Sequence, residues 1–474
     1  MKRGSIIASR FEILARLRAR GGSQVFAGRD RVSGQSVAIK ILEEGTYEAE
    51  RFAREVTLLI EQRHPGIVRY IAHGTIGRRP YLVMEWVKGR TLAHFLSTGL
   101  TLRESVEVTR RVAEALASVH LRGVVHRDVQ PSNIVFVDGQ LDRVKLVDFG
   151  FARRVGQPGT TRTGTIIGTP GYLSPEQARG DWDVDARTDV FALGCVLYTC
   201  LCGHPPFTAQ HLLATLISVV FQEPWPLEMF CPEAHEPLRS LVRRMLAKDR
   251  LARPVNAAVV AEDLADLVDL PDTPRRPHAP SASALFSNLA ELSTAAPTRP
   301  AVPSAMPPFL TTGESDQPTP LFLLVALDRE PVGPGEQPPE SLRGMTAQTG
   351  GAIDIIQQHR GEAALLADGT LVAKFASGPE APMAAARCAL QIRALLPDAP
   401  IVLGEGGAPS PSTSLDALVQ LLIEESFQGV LDDGDDPPRG PRVRLGSALA
   451  EHVTGDLMIE RRGAGEYLLA RGSV

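Results

Sequence analysis

The sequence predicts an α+β protein with two globular regions that are joined by a linker. Residues 37–41 form a run of β-branched and apolar residues, which is typical of a buried strand. Residues 106–120 and 190–201 follow a helical pattern instead. Near Leu270 the composition changes, and residues 271–318 are rich in Pro, Ser, Thr and Ala. A length of 474 residues leaves room for about two or three domains.

Composition and charge are those of an ordinary soluble protein. Hydrophobic residues make up 43% of the chain, and the net charge of −5 offers no basic surface for nucleic acid. The longest apolar run, residues 321–327, is far shorter than the ~20 residues needed to cross a bilayer. No apolar stretch follows the charged N-terminus as it would in a signal peptide. The five scattered cysteines predict reduced thiols, so we expect a cytoplasmic protein without membrane insertion.

Two polar motifs after residue 120 indicate phosphoryl-transfer chemistry. Residues 126–133, here named the catalytic loop, read His-Arg-Asp-Val-Gln-Pro-Ser-Asn, and residues 148–150 read Asp-Phe-Gly. Asp128 is a candidate base for an acceptor hydroxyl. Asn133 and Asp148 are candidate oxygen ligands for Mg²⁺ between phosphates.

Further motifs precede and follow the catalytic loop in a fixed order. Lys40 ends the strand motif Val-Ala-Ile-Lys, and Glu55 lies on a helix predicted over residues 48–61. Residues 84–87 read Met-Glu-Trp-Val after a predicted strand, and residues 168–176 read Gly-Thr-Pro-Gly-Tyr-Leu-Ser-Pro-Glu. Taken together, these motifs resemble the bacterial eukaryotic-like (Hanks-type) Ser/Thr protein kinases.

The resemblance implies a two-lobed protein kinase fold over residues 10–268, with a β-rich N-lobe (10–87) and a helical C-lobe (88–268). Such a domain transfers the γ-phosphate of ATP to Ser or Thr hydroxyls in bacterial signalling, with Mg²⁺ as cofactor and self-phosphorylation expected. The implied catalytic residues are Asp128, Lys40, Glu55, Asn133 and Gln130. The implied nucleotide-binding residues are Arg18, Gly21, Gly22, Val25, Ala38, Lys40, Glu85, Val87 and Asp148.

The same resemblance implies several supporting contacts. Lys40 pairs with Glu55, Glu176 pairs with Arg253, and Asp189 anchors the catalytic loop. Regulation is expected through an ion pair between Arg127 of the catalytic loop and a phosphorylated segment of the chain. The residues expected to take part are Arg127, Thr161, Thr163, Thr165 and Thr169. A merely polar, mobile segment is the alternative interpretation of these threonines.

Two features depart from the family pattern, namely the loop that covers the phosphates and the residue two positions after Asp128. Arg18 and Arg20 stand where glycines usually let a hairpin approach the phosphates, although Gly21 and Gly22 keep part of that freedom. Gln130 stands where a lysine usually neutralises charge on the moving phosphoryl group. A nucleotide-binding pseudokinase scaffold with strongly reduced activity is therefore the alternative function.

The second globular region, residues 320–474, follows the linker of residues 271–318, which we expect to be disordered. Residues 350–406 resemble a class III nucleotide cyclase domain, which implies an α+β ferredoxin-like fold. Asp368 matches one metal ligand of that family, and Asp328 is a candidate for the other.

Two positions argue against cyclase catalysis. Asp416 and Gln420 stand where that family has Asn and Arg to stabilise charge. We therefore predict a non-catalytic sensor, docking or dimerisation module, in which Asp368-Gly369 forms a plain hairpin turn.

Overall fold

The computed structural model falls into two compact units, which are described separately. The residues that it describes are 1–20, 23–42, 56–61, 63–149, 170–181, 183–209, 211–267, 270–271, 273–275, 320–327, 340–366, 368–397, 399–405, 418–422, 443–445, 449, 453, 457–462 and 466–471. Among these residues, none of the helices has both the length and the apolar character that crossing a bilayer requires.

The first unit begins with a six-stranded antiparallel sheet in the order β1-β2-β3-β4-β6-β5. Its strands are β1 Ile6–Ile7, β2 Phe11–Arg20, β3 Ser23–Asp30, β4 Ser36–Leu42, β5 Tyr70–Ile76 and β6 Arg79–Glu85. Because side chains alternate between the two faces of a strand, Phe26, Val37 and Ile39 share one face and are almost fully buried there. The opposite face carries Lys40.

The remainder of the first unit is mainly helical. A small antiparallel sheet contains β7 Gly89–Thr91, β8 Ile134–Val137 and β9 Val144–Leu146. The helices that lie wholly in this unit are α1 Leu92–Leu96, α2 Leu102–His120, α3 Pro175–Arg179, α4 Ala186–Cys202, α6 Glu236–Met245 and α7 Ala257–Ala265, whereas α5 Leu212–Phe221 belongs to it only from residue 218 onward. Single 3-10 turns are formed by Pro131–Asn133, Pro170–Tyr172, Leu227–Met229 and Arg250–Ala252. Residues 56–61 are also helical.

Two helices organise this helical part. Helix α2 starts with a reciprocal cap, in which the side chains of Thr101 and Glu104 each accept a hydrogen bond from the other's backbone N–H. Helix α4 is buried at every position from 188 to 201, because it is apolar on nearly all sides. Asp189 lies on the first turn of this buried helix and is therefore held rigidly.

The chain that follows α7 returns to the start of α2. Thr273 accepts a hydrogen bond from the backbone N–H of Leu102 (2.8 Å), and Arg103 donates to the carbonyl of Leu270 (2.7 Å). Arg275 donates to Glu104 at 2.6 Å. The contacts of the kinase-like region therefore extend beyond the boundary predicted at residue 268 and into the first residues of the predicted linker.

The second unit contains a seven-stranded sheet in the order β11-β12-β10-β13-β14-β16-β15. Its strands are β10 Leu321–Ala326, β11 Gly361–Leu365, β12 Thr370–Phe375, β13 Ile401–Glu405, β14 Val443–Leu445, β15 Leu457–Arg462 and β16 Glu466–Arg471. Its long helices are α8 Glu340–Gln358 and α9 Ala381–Leu395. The first six elements follow the order β-α-β-β-α-β, and β10 pairs antiparallel with both β12 and β13. This is the split βαβ arrangement of ferredoxin-like folds.

The two long helices of the second unit pack on one face of its sheet. Alternate residues of β10, namely Leu321, Leu323 and Val325, are buried in a cluster that includes Ala385 and Ile392 of α9. The stripe of small and apolar residues that predicted this helix is therefore its core face.

Most predicted elements of both units are confirmed to within a few residues at each end. The strand predicted at residues 37–41 is β4, and the helices predicted at 106–120 and 190–201 are α2 and α4. Four of the five cysteines are buried and the fifth is half-buried, and all five are free thiols, as expected. The predicted helix 48–61 is described only from residue 56 onward, and most of the linker lies outside the described residues.

Candidate active site

One face of the first sheet lines the candidate site. The register places Val25 opposite Lys40 and Lys40 opposite Leu82, so their side chains point to the same face. Ala38 lies two residues before Lys40 on this face, opposite Met84. Val25 and Ala38 are half-buried, whereas Lys40 is only 4% exposed. Among these five residues, four are apolar and Lys40 is the single cation.

The catalytic loop is attached to helix α4 through Asp189. The carboxylate of Asp189 accepts hydrogen bonds from the backbone N–H groups of His126 (2.7 Å) and Arg127 (2.8 Å) and from His120 Nε2 (2.9 Å). Burial alone would raise the pKa of Asp189, but its bonds to His120 and His126 outweigh this effect and the pKa lies below its usual value. Asp189 is thus a charged anchor, and the role predicted for it is confirmed.

His126 supports Asp128 through a hydrogen bond to its backbone. Burial lowers the pKa of His126, so its ring is neutral at pH 7. Nδ1 accepts a hydrogen bond from the backbone N–H of Asp128 at 3.2 Å, and Nε2 therefore carries the proton and donates to the carbonyl of Val147. The imidazole thereby connects Asp128 with the strand end that precedes Asp148.

Two amide side chains hold the carboxylate of Asp128. Gln130 Nε2 donates to Asp128 Oδ1 at 2.6 Å, and Asn133 Nδ2 donates to Asp128 Oδ2 at 3.0 Å. Asn133 Nδ2 also lies 2.8 Å from the main-chain oxygen of Asp128. Gln130 and Asn133 are almost fully buried, while Asp128 itself is half-buried. The carboxylate is therefore fixed in direction and still reaches the surface of the site.

Lys40 and Asp148 form an ion pair across the site. Asp148 adopts a left-handed backbone conformation (φ 62°), which is uncommon for a residue with a Cβ. The next side chain, Phe149, is 1% exposed and packs between the rings of His126 (4.3 Å between centroids) and Tyr70 (6.0 Å). The buried phenyl ring holds the turn, and Asp148 consequently points toward Lys40.

Residues 84–87, which include the implied nucleotide-binding residues Glu85 and Val87, are connected to strand β9. Glu85 Oε1 accepts hydrogen bonds from Lys145 Nζ (2.5 Å) and from the backbone N–H of Arg69 (2.9 Å). Val87 is half-buried and follows β6 without belonging to a strand. The side chain of Glu85 is thus engaged by Lys145 and by the backbone of Arg69.

Helix α3 is held in place by the predicted ion pair of Glu176 and Arg253. Their side chains form two hydrogen bonds of 2.9 and 3.0 Å and are 6% and 0% exposed. Thr188 donates a third hydrogen bond to Glu176 at 2.7 Å. This prediction is confirmed.

Several predicted site residues lie outside the described residues. They are Gly21, Gly22, Glu55, Thr161, Thr163, Thr165 and Thr169. The backbone of Arg18 belongs to β2 and pairs with Val25 of β3, directly after a register shift of the ladder between Arg16 and Arg18. The pair of Lys40 with Glu55 and the phosphorylation of the threonines remain predictions.

Sequence reasoning missed four side chains that support the site, namely Lys145, Gln177, His120 and Tyr70. Gln177 could have been found in part, because Ser174-Pro-Glu-Gln177 is a helix-capping signature. Its second contact, with the carbonyl of Arg127 at 3.0 Å, spans 50 residues of sequence and has no local signal.

In the second unit, Asp368 lies in the turn between β11 and β12. Its side chain accepts hydrogen bonds from the N–H (2.9 Å) and the hydroxyl (3.1 Å) of Thr370. These contacts match the hairpin-turn interpretation of Asp368. Asp328 and Asp416 lie outside the described residues, so the comparison with cyclase metal sites stays a prediction.

Comparison with known proteins places this site in a family. The family described as protein kinase domain matches residues 19–264. Serine/threonine-protein kinase pkn2 of Myxococcus xanthus is 35% identical over 271 residues, which are 55% of this chain and 32% of that protein. Serine/threonine-protein kinase PknB of Mycobacterium tuberculosis is 37% identical over 272 residues, which are 55% of this chain and 43% of that protein.

A third relative is a probable serine/threonine-protein kinase of Streptomyces coelicolor, which is 37% identical over 260 residues. That match covers 51% of this chain and 37% of the relative. The chain therefore spans less than half the length of these three curated relatives.

Proposed function

We propose that this chain, which belongs to the protein kinase family, transfers the γ-phosphate of ATP to serine or threonine hydroxyls of proteins. The observation that carries the proposal is the position of Asp128. Its carboxylate is half-buried and directed by two amides, and its loop is anchored to a buried helix through Asp189. A general base must be fixed in this manner and must remain accessible to an acceptor.

In the proposed reaction, the hydroxyl oxygen of the acceptor attacks the γ-phosphorus of ATP. The proton of the hydroxyl passes to Asp128, the bond between the γ-phosphorus and its bridging oxygen breaks, and ADP leaves. Asn133 and Gln130 keep the carboxylate of Asp128 in one orientation, so that it meets the hydroxyl without reorganising.

The residues at the inner end of the site fit a hard divalent cation. Asn133 engages Asp128 through Nδ2, and its carbonyl oxygen is the atom suited to bind a metal. Asp148 engages Lys40 through Oδ1, and its second carboxylate oxygen is the other suitable ligand. Mg²⁺, when bound there, neutralises charge on the phosphates. Lys40 adds a buried positive charge beside the same position.

The apolar face of the first sheet suits an adenine ring. Val25 and Ala38 are half-buried on that face, and the backbone near Glu85 and Val87 is proposed to bind the edge of the ring. Arg18, Gly21 and Gly22 are proposed to cover the phosphates. The choice of serine or threonine as acceptor is supported by the three relatives, which are named as serine/threonine kinases.

Regulation and the role of the second unit belong to the same proposal. Arg127 is proposed to receive a phosphorylated threonine among Thr161, Thr163 and Thr165, after self-phosphorylation. The second unit is proposed to serve as a non-catalytic sensor, docking or dimerisation module, because Asp368 is engaged within its own turn.

A second function, a nucleotide-binding scaffold with little turnover, is favoured by one observation. Gln130 stands beside Asp128 with a neutral amide where a lysine would bring a charge to the phosphoryl group. Incubation of the purified chain with Mg²⁺ and labelled ATP separates the two functions, with Asp128→Asn as control. We expect label in the wild type alone. Equal label in both proteins would remove the kinase function.

A further inference from the structure

The backbone of Arg127, one residue before the proposed base, has an unusual conformation. Its φ of 65° lies in the left-handed region, which a residue with a Cβ adopts only when its surroundings hold it there. On one side, the N–H of Arg127 donates to Asp189 Oδ1 at 2.8 Å. The direction in which Asp128 leaves the loop depends on this conformation, because Asp128 is the next residue.

The peptide group between Arg127 and Asp128 is bonded at both of its ends. Its N–H belongs to Asp128 and donates to His126 Nδ1 at 3.2 Å. Its carbonyl belongs to Arg127 and accepts a hydrogen bond from Gln177 Nε2 at 3.0 Å. His126 belongs to the catalytic loop itself and Asp189 to helix α4, whereas Gln177 comes from helix α3.

The orientation of the Gln177 amide is determined by its two partners. Gln177 Oε1 accepts a hydrogen bond from the backbone N–H of Ser174 at 3.1 Å, at the start of α3. An N–H can only donate and a carbonyl can only accept, so exchanging the nitrogen and oxygen of this amide would break both bonds. Gln177 is 3% exposed, and water therefore cannot readily replace either partner.

From this geometry we propose that Gln177 is a positioning residue for the base: it holds the carbonyl of Arg127 and thereby makes the orientation of Asp128 depend on the placement of helix α3. The inference rests on the proposed kinase reaction and deepens it. Residues 150–169, which contain the predicted phosphorylation sites, lead directly into Pro170–Tyr172 and α3. Among the described residues, the Gln177 bridge joins helix α3, which follows that segment in the chain, to the catalytic loop.

The variant Gln177→Glu keeps the hydrogen bond of this side chain to Ser174 and removes its hydrogen bond to Arg127. Its carboxylate can still accept from the N–H of Ser174, and Glu serves as well as Gln in a helix-capping box. An ionised carboxylate cannot donate to the carbonyl of Arg127. We expect kcat to fall about tenfold, in keeping with the loss of one buried hydrogen bond, while the Kd for Mg-ATP stays unchanged.

Amide hydrogen exchange supplies a readout that does not depend on turnover. In full-length Gln177→Glu we expect faster exchange at the backbone N–H groups of Arg127 and Asp128 than in the wild type. The control Ser174→Ala removes the hydroxyl cap of α3 and leaves the bond to Arg127 in place. It should lower the melting temperature without raising exchange in the catalytic loop.

The outcomes separate this inference from the proposed function. Unchanged exchange at Arg127 and Asp128 in Gln177→Glu would overturn the positioning role, whatever the activity. Absence of phosphate transfer by the wild type would overturn the kinase function, and the exchange comparison would still decide the role of Gln177. If the charge of Gln177→Glu prevents folding, the neutral variant Gln177→Met replaces it, with the same expected exchange and the same overturning result.

Discussion

Glu176 and Arg253 lie 77 residues apart in the sequence and form a bidentate ion pair that is almost completely withdrawn from solvent. Arg253 also donates to the carbonyl of Ala247 at 2.7 Å and stacks over Phe191 at 4.8 Å. The pair ties helix α3, which follows the active-site loops in the chain, to the core of the helical part.

Removal of one partner of this pair is expected to destabilise the kinase region strongly. Arg253→Met leaves the carboxylate of Glu176 buried without its partner cation, which typically costs about 3 to 5 kcal/mol of unfolding free energy. Urea denaturation measures the loss. The control is Arg243→Met, which breaks an ion pair with Glu236 whose side chains are 60% and 65% exposed and should change stability by less than about 1 kcal/mol. Similar losses in both variants would contradict the structural role of the buried pair.

Restoring a charge beside the base should raise the rate of phosphate transfer. Gln130 already contacts Asp128 with a neutral amide, and Gln130→Lys would add a cation that stabilises charge on the phosphoryl group. We expect kcat to rise by roughly 10²-fold, the size of effect that single transition-state donors produce. Steady-state kinetics with a model peptide would measure it. Gln130→Met, which removes the amide without adding charge, should lower kcat, and a Gln130→Lys rate no higher than that of the wild type would refute the expectation.

The ion pair of Arg10 and Asp30 should make stability depend on acid pH. The hydrogen bond from Arg10 holds the pKa of Asp30 well below its ordinary value of 3.8, and bonds from Val32 and Ser33 act in the same direction. A carboxylate with a lowered folded-state pKa contributes stability above pH 3.8 and loses it as the pH falls toward the folded-state pKa. Asp30→Asn should therefore be less stable than the wild type at pH 7, with a smaller difference at pH 3. Melting curves across this range provide the check, and a constant difference would argue against the pair.

The residues after helix α7 should stabilise the kinase region, although Thr273 lies within the predicted linker. Thr273 acts as an external acceptor for the first N–H of α2. Thr273→Val keeps the shape and removes the hydroxyl, and we expect a loss of about 0.5 to 2 kcal/mol, as for other helix caps. Thr273→Ser retains the hydroxyl and serves as the control that should remain close to the wild type. Equal melting temperatures for the Val and Ser variants would show that this contact does not matter.

Much of this fold was accessible from the sequence because its signals are local. The strand β4, the helices α2 and α9 and the capping of α2 by Thr101 depend on residues only a few positions apart. The order of the motifs from Lys40 to Arg253 was enough to indicate the family. The docking of Thr273 and Arg275 had no such signal, and a composition rich in Pro suggested that the linker begins earlier than these contacts allow.

The sequence by itself determined which groups this protein has for its proposed chemistry: a candidate base at Asp128, candidate oxygen ligands at Asn133 and Asp148, a cation at Lys40 and a neutral amide at Gln130. Only the tertiary structure decided how they are connected. Lys40 meets Asp148 across 108 residues, and Gln177 meets Arg127 across 50. Contacts over such separations depend on how strands and helices pack, because the identity of a polar residue states what it can bind and not which partner the fold brings within reach.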